Sequence, residues 1–208
     1  MTALPDGPSR LMARCDQWFE RARASVLGNL PCRRGCSRCC IGPFAITRLD
    51  VAVLRQGLDA LDLSLRQDIE SSARSQVAAF EAAFPRLTEG IALDRWSDGE
   101  VDRLVERFRN LPCPALAEDG SCRVYPFRPV TCRTMGIPVE ADGLVAGACE
   151  VQTAVPVQRI PLALRQEEQR LVEQEQAELE ACLGAAAGRG EEMLLPYGFL
   201  PDRGLPLR

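Results

Sequence analysis

The sequence predicts a mainly α-helical fold: a small helical domain around a cysteine-rich core, with a short β-hairpin and irregular loops. Three observations lead there. Apolar residues recur at helical spacing in several segments of the 208-residue chain. Two capping-box patterns mark helix starts. Eight of the ten cysteines fall in the Pro- and Gly-rich stretches between those segments. At 46% hydrophobic and 26% charged, the chain has the composition of a folded globular protein and not of a disordered one.

Residues 9 to 28 carry Leu11, Met12, Trp18, Phe19, Ala22 and Val26 at near-helical spacing, and Gly28 and Pro31 stop that helix. A cysteine-rich segment runs from Pro31 to Pro43. Thr47-Arg-Leu-Asp50 is a capping box that starts a helix reaching Gly57. A longer helix is expected over 62 to 83, with Leu63, Leu65, Ile69, Val77, Phe80 and Phe84 as its apolar stripe. Ser97-Asp-Gly-Glu100 opens a short helix bearing Val101, Leu104, Val105 and Phe108. Asp119-Gly120, between two short β-capable runs, predicts the hairpin; Pro-rich irregular chain is expected after it, through Pro126, Pro129 and Pro138. Residues 162 to 185 read as a polar helix with Leu162, Leu164, Leu171, Val172, Leu179 and Leu183. Its acidic face (Glu167, Glu168, Glu173, Glu175, Glu178, Glu180) is expected to be solvated, with a protein partner as the alternative. The apolar tail, 191 to 208, is expected to pack across the body. The chain thus divides into an N-terminal helix (1–29), a cysteine-cluster region (30–150), and a C-terminal helix and tail packing on the same domain (151–208).

The formal charge is −4 and the pI about 5.1, which gives no electrostatic case for nucleic acid or an anionic membrane. No apolar stretch approaches the roughly 18 residues of a membrane span, and the N-terminus shows no signal-peptide pattern. A cytoplasmic location follows as an expectation, and there clustered cysteines serve as metal ligands or catalytic thiols more often than as disulfides.

Histidine is absent, and all 25 basic residues are arginine. Every soft ligand this chain offers is therefore sulfur. The first cysteine group is Cys32-Arg-Arg-Gly-Cys36-Ser-Arg-Cys39-Cys40; the second is Cys113, Cys122 and Cys132, with Cys149 beyond. Cys36 and Cys39 have the C-x-x-C step that lets two thiolates converge on one ion. Adjacent side chains diverge, so Cys39 and Cys40 point to two ligand sets, a polynuclear cluster, or one ligand beside a redox thiol. Four plus four thiolates can close two tetrahedral sites, or one cluster with cysteines to spare. Arg33, Arg34, Arg38, Arg123 and Arg133 stand beside these cysteines to offset thiolate charge. Cys15 and Cys182 sit alone on helices and read as packing residues.

Cys122-Arg-Val-Tyr125-Pro-Phe-Arg128-Pro129-Val-Thr-Cys132-Arg133, downstream of C-x3-C-x2-C-C, resembles the YkgJ-type cysteine-cluster proteins, the CxxCxxCC zinc- or iron-chelating domain family. The likeness covers about residues 30 to 150. It implies a metal-binding domain with Cys32, Cys36, Cys39, Cys40, Cys113, Cys122, Cys132 and Cys149 as ligands, and zinc or an iron–sulfur cluster as cofactor. The first step here is C-x3-C where the family name has C-x2-C, and Cys149 is placed by order alone. Bacterial flagellin lysine methylases are similar in their cysteine motif. From the residues themselves, Arg128-Pro129 is a rigid turn, and Arg128, Arg133 and Tyr125 are candidates to hold the cofactor's surroundings through a carboxylate or backbone carbonyls.

Three functions follow as expectations: a metal centre, iron–sulfur or zinc, that is binding-competent and open to redox; a structural zinc staple in an interaction module, with the acidic helix 162–185 meeting a protein partner; or an enzyme modifying a protein at the metal. No phosphate loop, G-x-S-x-G or dinucleotide fingerprint names a substrate or a catalytic residue.

Overall fold

A computed structural model of the chain describes residues 6–25, 35–137, 139–141, 144–146, 160–183 and 192–201. The described residues are mainly α-helical, with two small antiparallel strand pairs. In order they form α1 (Asp6–Ser25), β1 (Ala45–Thr47), α2 (Arg48–Asp59), α3 (Leu63–Ala83), α4 (Arg86–Glu89), α5 (Asp98–Phe108), α6 (Val130–Thr134), β2 (Val139–Ala141), β3 (Leu144–Ala146), α7 (Leu162–Leu183), β4 (Glu192–Leu194) and α8 (Leu195–Gly198).

Both capping boxes form. Asp50 N–H donates to Thr47 Oγ1 while the Asp50 carboxylate accepts from Thr47 N–H, and α2 begins there. Ser97 and Glu100 close the same reciprocal pair at the start of α5.

α2 is the centre of the molecule. Leu49, Asp50, Val51, Ala52, Val53, Leu54, Gly57 and Leu58 are all buried, and only Gln56 and Asp59 of the helix are exposed. Val51, Leu54 and Leu58 face one core with Ile69, Val77 and Phe80 of α3, Leu104 of α5, and Tyr197 and Phe199 of the tail. Leu49 faces a second core with Leu11, Cys15, Trp18 and Ala22 of α1 and Leu171 and Leu179 of α7. Cys15 is buried there and Cys182 packs against the same group. The Trp18 indole N–H donates to the Leu164 carbonyl at 2.8 Å, tying α1 to α7.

The tail packs across the body through residues 192–201. β4 pairs antiparallel with β1, with Ala45 opposite Leu194 and Thr47 opposite Glu192, and residues 193 to 200 are buried. Residues 202 to 208 of that expected tail lie outside the described residues, as do Val26 and the side chain of Leu183.

Four expectations are corrected. The hairpin around Asp119-Gly120 shrinks to a single bridge between Leu116 and Cys122. Pro112 and Pro114 lack the N–H groups a ladder into it would need. The Pro-rich chain expected to be irregular through Pro138 carries the short helix α6 at Val130–Thr134, and just beyond it Val139 pairs opposite Ala146. The stripe of α3 starts only at Ile69: Leu63 is 69% and Leu65 37% exposed, because the first turn runs past the core. The acidic face of α7 is not uniformly solvated. Glu167 pairs with Arg21, and Glu175 turns inward, accepting from Thr47 Oγ1 at 3.3 Å; Glu173 and Glu180 stay exposed.

Candidate metal centre

Three chain segments bring six cysteines to one cavity. Gly35 takes a left-handed φ of 88° and turns the chain into Cys36. A 3₁₀ turn, Arg38–Cys40, then places Cys39 and Cys40, with Cys40 N–H donating to the Ser37 carbonyl at 2.9 Å. The second segment is stitched directly to the first: Cys113 N–H donates to the Cys40 carbonyl at 2.7 Å, and Gly42 N–H to the Leu111 carbonyl at 2.7 Å. Gln76 of α3 anchors the same strand of chain by donating to the Pro112 carbonyl at 2.8 Å. Around the Gly120 turn, Arg123 N–H returns to the Ala115 carbonyl at 2.9 Å and sets Cys122 near Cys113. The third segment is α6, which carries Cys132.

Cys36, Cys39, Cys40, Cys113, Cys122 and Cys132 all line a cavity of about 490 Å³. Phe19, Phe44, Leu54, Leu195 and Phe199 give it apolar walls. Cys32 and Cys149 lie outside the described residues, as do Arg33 and Arg34. Among the described residues, no three Cys, Asp or Glu side chains are closed around a single point as an ion would hold them.

The thiols perturb one another. Cys40 S–H donates to Cys39, which is the main reason the Cys39 thiol drops to about 7; the Arg128 charge pulls the same way. Cys40 is pushed up in turn, through that bond and burial. Burial raises Cys113 to about 12 and lifts Cys122 and Cys132 as well. Every pair among Cys39, Cys113, Cys122 and Cys132 is close enough for one thiolate to penalise another. A thiophilic cation removes both penalties at once, because it supplies the charge that water and neighbours do not. The donor set therefore fits a metal.

The arginines divide by task. Arg128 stacks over the Tyr125 ring with its guanidinium carbon 4.1 Å from the centroid. It donates to the Tyr125 carbonyl at 3.1 Å and to Asp16. Arg133 donates to the Arg128 carbonyl at 2.9 Å, to the Pro126 carbonyl at 2.7 Å and to Asp16. Arg128, Arg133 and Tyr125 all line the cavity. Arg123 turns toward Asp68, 4.0 Å away, and Arg38 is exposed.

Residues 31–150, more than half of the chain, match the family model CxxCxxCC, described as "Putative zinc- or iron-chelating domain". The chain belongs to the CxxCxxCC family. Searches of curated proteins and of solved structures returned no match. The CxxCxxCC region contributes the cysteines, but it does not build the cavity alone. Asp16, Phe19, Glu20 and Arg23 of α1, and Leu195 and Phe199 of the tail, lie outside it and line the same space.

Sequence alone does not single out two carboxylates that hold the segment carrying Cys132, Asp16 and Asp50. Asp16 looks like any polar residue on α1. Asp50 was visible only as a cap; its other oxygen accepts from Val130 N–H at 2.8 Å and pins the start of α6 beside Cys132. The capping box was the single local signal available for either.

Proposed function

We propose that this CxxCxxCC protein binds an iron–sulfur cluster, held by Cys39, Cys113, Cys122 and Cys132, with Cys40 and Cys36 as further donors at its edge. The observation that carries the reading is the convergence of six thiols, from three separate segments, on one cavity in a chain without histidine. An all-sulfur shell suits zinc and iron–sulfur centres alike. A single tetrahedral ion takes four donors, whereas the described residues offer six, including the adjacent Cys39 and Cys40, around a space far larger than one ion. Arg128 and Arg133 supply positive charge next to a thiolate centre whose own net charge is negative, and they hold the chain between Cys122 and Cys132 through its carbonyls.

The test is anaerobic purification with elemental and sulfide analysis and a visible absorption spectrum. Iron and sulfide with broad visible absorption are expected in the wild type. Cys132→Ser should lose most of that content, and Cys15→Ala should keep it, since Cys15 belongs to the core between α1 and α7. Colourless protein with stoichiometric zinc would replace the cluster with a structural zinc site. Protein with neither metal, or equal content in both variants, would refute the assignment.

A further inference from the structure

Asp16 of helix α1 is hydrogen-bonded to the cysteine loop through two arginines. The two oxygens of Asp16 accept from different arginines, Oδ1 from Arg128 Nη2 and Oδ2 from Arg133 Nη1. Each guanidinium then holds backbone: Arg128 the Tyr125 carbonyl, Arg133 the carbonyls of Pro126 and Arg128. The carboxylate thus governs, through two rigid forks, three carbonyls in the segment between Cys122 and Cys132. Arg133 is almost fully enclosed, its side chain 3% exposed, while Asp16 is 40% exposed. An enclosed guanidinium depends on its anion, because without it the charge is left with only carbonyl dipoles.

We propose that Asp16 is a positioning residue of the metal centre, setting the separation of Cys122 and Cys132 through Arg128 and Arg133. The inference rests on the metal-binding reading above and extends it beyond the matched region: residue 16 precedes residue 31, where the family match starts. The N-terminal helix is then a working part of the centre and not an appendage to it. Asp16 touches no metal; it orients the residues that frame the ligands, a role whose loss typically costs 10–100-fold in metal affinity.

The experiment titrates Co²⁺ into the reduced, metal-free full chain under anaerobic conditions and follows the thiolate charge-transfer and d–d bands against a competing chelator. Asp16→Asn, which keeps the shape and removes the charge, should weaken cobalt binding about 10–100-fold and shift the bands. Arg21→Gln cuts a different anchor of α1, the pair with Glu167 of α7, and should leave affinity and bands unchanged. If Asp16→Asn does not fold, Arg128→Lys, which keeps the charge beside the thiolates and loses the fork, reads the same link: weakened cobalt binding supports the clamp and unchanged binding overturns it. Wild-type uptake with an unaffected Asp16→Asn overturns the role of Asp16 alone, as does an equal loss in Arg21→Gln. A wild type that takes up no cobalt overturns this inference, while the cluster reading stands or falls separately on the iron and sulfide analysis.

Discussion

Replacing Glu175 with Gln should stabilise the protein, and by an amount that grows with pH. Glu175 points from α7 toward the start of α2, where Thr47 Oγ1 donates to it at 3.3 Å. Burial, and then the charge of Asp50, push its carboxyl from 4.5 up to about 7; Glu192 of β4 and Glu178 of its own helix add to the rise, and Thr47 opposes it. Because the folded-state pKa lies above the unfolded one, the folded protein favours the protonated acid. Below pH 4.5 both states are protonated and the site is neutral. Stability is lost as pH rises from 4.5 through 7, and by pH 8 the accumulated penalty is about 3 kcal/mol. Gln carries no such penalty and still offers Thr47 an acceptor. Urea denaturation of reduced, metal-free wild type and Glu175→Gln across pH 4 to 8 isolates the effect, since the thiols contribute equally to both. The variant should match the wild type near pH 4 and exceed it by up to about 3 kcal/mol at pH 8. A difference that stays constant with pH, or a variant weaker at pH 8, would refute the buried charge at this position.

Two further outcomes follow from close contacts near the cysteines. Gly57→Ala would gain roughly 1 kcal/mol of helix propensity, but its Cβ would lie 2.7 Å from Phe127 Cβ and 2.9 Å from Cγ, an overlap costing about 1–3 kcal/mol. A net fall of about 1 kcal/mol, or roughly 3 °C in Tm, is expected by calorimetry, and a raised Tm would show that α2 and the 125–127 turn are not in contact. Asp50→Ala strips the acceptor from Thr47 N–H and Val130 N–H. Each stranded donor costs about 1–3 kcal/mol, partly offset by no longer burying a carboxylate. Denaturation should show a loss of about 2–4 kcal/mol, with faster hydrogen exchange at Val130; unchanged exchange there would disprove the link between α2 and α6.

What was legible in the sequence is what short-range physics decides. Thr47 and Asp50, or Ser97 and Glu100, make their contacts three residues apart, so the starts of α2 and α5 could be read directly. The cysteine centre was legible for another reason: a chain without histidine that gathers its sulfurs leaves few chemistries open. Illegible were contacts that only the assembled fold creates. Arg128 meets Asp16 across 112 positions, Val130 meets Asp50 across 80, and Thr47 meets Glu175 across 128. Periodicity gave no warning either that Leu63 and Leu65 overshoot the core, or that Glu175 faces inward. A helical stripe records which residues can share a face, and the partner helix decides how much of that face is covered.

The placement of Cys132 shows how far the centre depends on the rest of the chain. α6 has five residues, Pro129 at its N-cap contributes no side-chain cap, and isolated helices of this length do not persist in water. Its first amide, Val130 N–H, is taken by a carboxylate from another helix, which also suits the positive end of a helix dipole. The same carboxylate uses its second oxygen to cap α2. One side chain therefore couples the register of the buried central helix to that of the helix carrying Cys132. From the opposite side, Arg133 of α6 is held by Asp16 of α1. The α6 segment is short of local reasons to be helical and is held between two acids, Asp50 and Asp16. Damage to α1 or α2 should thus reach Cys132 before it reaches Cys39, whose 3₁₀ turn is secured by backbone bonds to its own neighbours and to Cys113.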